Sequence, residues 1–172
     1  MPLSERLALG PERRARVEAF LEGITGLDRF EAVLSAYEED RPPFDGPQDE
    51  REALILAMMQ IFGEEGDHRA LHEVAVAQQR CYLGVAQDVC AAADTFEAAR
   101  LAGNPMSSAS LGYMALTGTG TPRNRVVAAN LLRYAVRDGN EDARAVLDAY
   151  SDGELDAFLA KPPRGPSCAD ED

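Results

Sequence analysis

The sequence predicts an all-α protein in which antiparallel helix pairs stack as a short superhelix, preceded by an N-terminal helical extension. Three observations lead there. Apolar residues recur at three- and four-residue intervals along most of the chain, the period of a helix with one buried face. Small residues and turn formers return at a fixed step in the second half: Gly103-Asn104 is answered by Gly139-Asn140, 36 residues on. The composition suits thin helices in close contact, since 45% of the 172 residues are hydrophobic but only 6% are aromatic, and Trp is absent. That length supports one sizeable helical core or a repeat array with an extension.

Residues 1–47 read as a helical hairpin and a linker. Pro11 suits a first helical turn, and Val17, Phe20 and Leu21 follow on one side until Gly23 and Gly26 interrupt. Thr25 with Asp28 resembles a reciprocal cap, after which Leu27, Phe30, Leu34 and Tyr37 continue at helical spacing, predicting an antiparallel pair. Arg41-Pro42-Pro43-Phe44-Asp45-Gly46-Pro47 is the clearest break, because prolines remove backbone donors and restrict the residues before them.

Residues 48–160 read as the repeat domain. Ala53, Leu54, Ala57, Met58, Ile61 and Phe62 form a stripe ending near Gly63 and Gly66, with Met58 and Met59 expected to fill core space. At the 36-residue step, Ala99 answers Ala135, Ala109 answers Ala145 and Leu111 answers Leu147; Gly84, Asp88 and Ala92 answer Gly120, Asn124 and Ala128. A weaker copy begins at Gly66-Asp67, shifted by one residue. Such a step holds two helices of about a dozen residues and two turns, a unit that buries its apolar faces only by stacking on neighbours. Asn104-Pro105 opens one helix; Asn124 caps the next, placing Val127, Leu131 and Tyr134 on one face and Ala128 and Ala135 where another helix approaches. Ser151 with Glu154 signals a final short helix, and residues 161–172 are expected to form a disordered acidic tail.

Seventeen Lys and Arg stand against 30 Asp and Glu, a formal charge of −13. A surface so acidic disfavours phosphate backbones and anionic lipid, so neither nucleic acid nor a membrane is an expected partner. The first residues lack an export signal, nothing reaches the length of a spanning helix, and Cys81, Cys90 and Cys168 do not form a dense disulfide framework. Together these features predict a soluble protein of a reducing, cytoplasmic compartment.

The stretch from Ala109 to Asn140 resembles a Sel-one-like repeat, a short relative of the tetratricopeptide repeat. Ala109, Leu111, Gly112, Gly118, Gly120, Ala128, Ala135 and Gly139 match that pattern; Asn124 stands where Asp is usual, Leu131-Leu132 replaces an aromatic pair, Ala115 a Tyr and Thr121 a Val. In the copy before it, Gly84-Val85, Asp88, Ala92, Phe96 and Ala99 fit, with Tyr82 in place of the first turn glycine. The resemblance covers residues 66 to 150 and implies a curved scaffold that mediates protein contacts, without catalysis or a cofactor.

Two sets of residues carry competing functional expectations. His68 and His72 lie four apart on one helical face, so with Cys81 they could serve a small metal- or thiol-dependent enzyme. Against this, the H-E-x-x-H Glu is missing, there is no C-x-x-C pair, and the Gly118-x-Gly120 step lacks the Lys of a nucleotide loop. The favoured expectation is a partner-binding surface of Tyr113, Arg123, Arg125, Asn130, Arg133 and Arg137, which combines an aromatic anchor with hydrogen-bonding heads in an acidic chain. Its expected partner is another protein presenting an acidic or C-terminal segment. A structural subunit of a larger assembly is the third expectation.

Overall fold

The computed structural model describes residues 10–24 and 28–151, with side chains through Ala149. Among these residues all regular structure is helical: α1 (Pro11–Glu22), α2 (Arg29–Glu38), α3 (Gln48–Glu64), α4 (His68–Arg80), α5 (Val89–Leu101), α6 (Pro105–Thr117), α7 (Arg125–Arg137) and α8 (Glu141–Ser151). From α3 onward each helix packs against the next, most extensively within the pairs α4–α5 and α6–α7. No described helix is long and apolar enough to cross a membrane.

Local chemistry explains why the helices start where they do. Asp28, Asp67, Asp88, Asn104 and Asn124 each stand immediately before a helix and accept hydrogen bonds from its first backbone N–H groups. Each such cap contributes about 1 kcal/mol by satisfying a donor the helix itself leaves open. Asp28 thus caps α2 without a reciprocal partner among the described residues, and Thr25 lies outside them.

The turns between pairs are repeated almost atom for atom. Gly66, Gly103 and Gly139 take positive φ of 89°, 101° and 92°. The N–H of the following Asp67, Asn104 or Asn140 reaches back 2.9 Å to Phe62, Ala99 or Ala135, closing the last helical turn. Within pairs, the N–H of Asp88 donates to Gln78 O and that of Asn124 to Ala115 O, both at 2.9 Å. α4 and α6 begin 37 residues apart, α5 and α7 36 apart. The shift accounts for a detail the sequence pattern misplaces. Cys81, not Tyr82, holds the left-handed position of Gly118, with φ of 55° against 75°.

Small side chains let the pairs close. Ala75, Ala92, Phe96, Leu111 and Met114 pack at the centre of α4–α6, and Ala109, Leu116, Ala128, Leu132, Ala135 and Ala143 at that of α6–α8. A Cβ on Gly112 would meet Leu132 Cγ at 2.8 Å, and one on Gly120 would meet the carbonyl oxygen of Val89 at 2.1 Å. Gly120 therefore seats the α6–α7 loop directly on the start of α5.

A larger core joins α1 to α4, with Val17, Leu21, Phe30, Val33, Met58 and Met59 buried in it. The expected α1–α2 hairpin takes another form: each helix packs principally on α3 rather than on the other. Charge and aromatic faces hold them there. Arg14 bonds Glu64 at 2.6 Å, and Arg69 of α4 bonds Asp28 and Asp67 at 2.7 Å while lying 4.3 Å over the Phe30 ring. The proline-rich linker is anchored by Phe44, buried edge-on between Phe20 and Tyr37. At the other end α8 runs through Ser151, where the sequence suggested a new cap; the final helix and the 161–172 tail lie outside the described residues.

Candidate protein-binding groove

The repeated step sets α5 and α7 side by side, with α6 beneath them. Between them opens a groove of about 620 Å³, within the size range of binding sites. Leu111 and Ala115 of α6 form its floor, Val127 and Leu131 of α7 one wall, and Ala93, Asp94, Glu97 and Arg100 of α5 the other. Gly120, Thr121 and Pro122 close the end nearest the starts of both helices, where Cys90 also lines the wall. Helical spacing puts these residues together: 90, 93, 94, 97 and 100 share one side of α5, and 127 and 131 one side of α7.

The wall carries charge over an apolar floor. Glu97 and Arg100 form a two-point ion pair at 2.6 and 2.7 Å. The bond from Arg100 holds the Glu97 carboxyl below its ordinary range, and the same pair raises Arg100 further. Tyr134 acts electrostatically on Arg100 from α7, while Arg137 stacks 5.1 Å over the Tyr134 ring. Apolar surface is also exposed on these two helices: Leu101 is 72% exposed, Val126 71%, Tyr134 48% and Val127 46%.

The expected surface residues are only partly brought together. Asn130, Arg133 and Arg137 line the exposed side of α7 and Arg125 is exposed at its first position, with Arg133 Nη1 donating to Asn130 Oδ1 at 3.1 Å and Arg137 near Asp138 at 3.4 Å. Arg123 lies in the preceding loop and donates to Leu116 O at 3.1 Å, which fixes its stem to the end of α6. Tyr113 stands apart. It is two residues from both floor positions, Leu111 and Ala115, and so points away from the groove. Burial, and then the Asp142 carboxylate of α8, push its hydroxyl pKa upward.

Val127, Leu131 and Tyr134, expected on one apolar face, do share a side of α7; Val127 and Leu131 line the groove there, and Tyr134 is exposed. The signal for this was present in α7 itself. Its apolar residues extend around more of the helix than the Ala128, Leu132 and Ala135 seam requires, so part of them had to face outward.

His68, His72 and Cys81 do not converge. His72 is buried, its ring 5.3 Å from Phe96 and its Nδ1 2.9 Å from Ser107 Oγ. Ser107 Oγ donates to Asn104 Oδ1 at 3.2 Å, leaving a lone pair for the Nδ1–H of His72; Asn104 Nδ2 in turn donates to His68 O at 3.1 Å. The chain of bonds ties α4 to α6. Burial lowers the His72 pKa, favouring the neutral ring. Cys81 is a free, exposed thiol nine residues beyond His72, about 13 Å along the helix axis. Cys90 is disulfide-bonded. Among the described residues no three or more His, Cys, Asp and Glu side chains are grouped to hold a metal ion.

Compared with family models and with curated proteins, the chain matches no model and no protein.

Proposed function

We propose that this chain is a protein-interaction scaffold, a short Sel-one-like array that receives a segment of another protein between the second helices of successive pairs. The observation that carries the reading is the α5–α7 groove, with its apolar floor and α7 wall, together with exposed Leu101, Val126 and Tyr134 and exposed arginines on the same two helices and the loop before α7. Aromatic and Arg side chains around a desolvated centre are what a binding hot spot requires. The matched caps and turns of α4–α5 and α6–α7 support the repeat resemblance, and with it a superhelical array continuing from α3 to α8.

The partner we propose is a protein with an acidic or C-terminal segment. Arg123, Arg125, Arg133 and Arg137 offer it local positive charge in a chain of net charge −13, which otherwise repels acidic partners. No catalysis is proposed, since His72 is committed to Ser107 and Cys81 is remote from it. The test is capture of the partner from its native source, followed by affinity measurement with purified components. Replacing the four arginines by Gln is expected to weaken binding at least tenfold at low salt and less at high salt. Equal affinity for both proteins at both salt levels overturns the arginine strip as the recognised surface.

A further inference from the structure

We propose that Glu73 of α4 anchors a basic side chain, Arg or Lys, of a partner segment received on the side of α4 and α6 that faces away from the α5–α7 groove.

The placement follows from what the rest of each helix is committed to. On α4, Gln78 faces α5, where its Oε1 accepts from Thr95 Oγ1 at 2.9 Å. His72 bonds Ser107 of α6 at 2.9 Å, and Val76 packs on the cluster that holds Leu111 and Met114. Ala70, Val74 and Ala77 belong to the larger core. Arg69, Glu73 and Arg80, four and seven residues apart, are left on the remaining side. On α6, Ser107, Leu111 and Met114 turn towards α4 and α5, Gly112 towards Leu132 of α7, and Ala109 and Leu116 towards Ala143 of α8. Met106, Ser110 and Tyr113 are left on its outer side. The two outer sides adjoin along the seam that His72 and Ser107 close.

Glu73 is half-buried there and has no hydrogen-bond or ion-pair partner among the described residues. Arg69, one turn before it, is taken up by Asp28, Glu31 and Asp67. Arg80 is exposed seven residues on, about 10 Å along the helix axis. A carboxylate drawn half out of water without a counter-charge costs the fold stability, and burial accordingly pushes the Glu73 pKa upward. A cation from outside supplies what the chain itself withholds.

The surroundings suit a cation on an aliphatic stem. Met106 is 50% exposed and Tyr113 39%, giving apolar surface for the stem of Arg or Lys. The Ser110 hydroxyl donates to Met106 O at 3.4 Å, and the Asp142 carboxylate acts on Tyr113 from α8, so this side favours a cation over an anion. The net charge of −13 draws a basic segment towards the chain in the first place. The α7 arginines and this face thus select opposite charges, and neither reading depends on the other.

The probe is a short Ala/Ser peptide, blocked at both ends, with one central Arg; a twin carries Gln in that place. Each is titrated into the full chain and followed by NMR. The Arg peptide is expected to shift the amides of Glu73, Ser110 and Tyr113 saturably and leave Asp94 and Leu131 of the groove fixed, while the Gln twin shifts neither set. Glu73→Gln, its spectrum otherwise native, is expected to weaken binding about tenfold, and Glu22→Gln, which removes an exposed carboxylate of α1, to stay within about twofold. The carboxyl carbon of Glu73 in the native chain gives a second readout: bound Arg peptide is expected to lower the pH at which it titrates. Equal affinity of Glu73→Gln and the native chain, an unmoved Glu73 titration, or no saturable shift overturns the anchor. Shifts spread over the carboxylates of α1–α3, or an equal loss in Glu22→Gln, mark general attraction to an acidic chain and overturn it as well.

Discussion

At the scale of single residues, the glycines and one histidine decide most. Gly120 is constrained twice, by a φ of 68° and by the Val89 carbonyl in the space a Cβ needs. Gly120→Ala is expected to destabilise the fold by about 3 kcal/mol or more, and Gly112→Ala, opposed by the movable Leu132 side chain, by about 1–3 kcal/mol. Gly46, with nothing near and ordinary φ, is the control, and Gly46→Ala should be neutral or slightly stabilising in urea unfolding. His72 sets a pH response whose sign follows from burial. Its folded pKa lies below the ordinary 6.5, so the unfolded chain binds the proton more readily. Stability from the neutral ring is present above pH 6.5 and is lost as pH falls towards the folded pKa. The adjacent Glu73 acts oppositely: burial raises its pKa, so its protonation on acidification favours the folded state. The His72 contribution is therefore the difference between native protein and His72→Gln, and the variant's stability is expected to fall less from pH 7 to pH 5.5. A parallel decline in both proteins contradicts the assignment.

At the scale of elements, caps and turns were legible in the sequence because their causes are local. An Asp or Asn before α2 and before each of α4 to α8, and a glycine at most of the left-handed turns between them, act on neighbouring backbone whatever the rest of the chain does, and the 36-residue step records their recurrence. The packing of α1 and α2 was not legible, since periodicity identifies a buried face but not what covers it. Arg69 shows what the period omits: from α4 it reaches Asp28 and the Phe30 ring and pins α2 from another helix altogether. Arg69→Ala is expected to raise hydrogen exchange of the α2 amides about tenfold and leave α7 unchanged, with Arg69→Lys intermediate because it keeps the charge but loses the two-point geometry. The same limit governed the groove. The α7 arginines could be read as exposed from their spacing, but whether Val127 and Leu131 faced a core or a cleft depended on how far α5 stands from α7.

At the scale of the whole molecule, the two matched pairs α4–α5 and α6–α7 do what neither pair does alone: their second helices, held apart by α6, enclose a groove. The larger core of α1–α4 closes one end of this arrangement, and α8 covers the α6–α7 seam at the other. Tyr113, on the far side of α6, gives an internal control for which face is used. The decisive measurement is the affinity of a purified partner for three proteins: the native chain, a Val127→Glu/Leu131→Glu variant and Tyr113→Ala, each first shown to be folded. The groove variant is expected to bind at least tenfold more weakly while Tyr113→Ala stays within about twofold of the native chain. Undiminished binding by the groove variant, or a loss confined to Tyr113→Ala, would contradict the account.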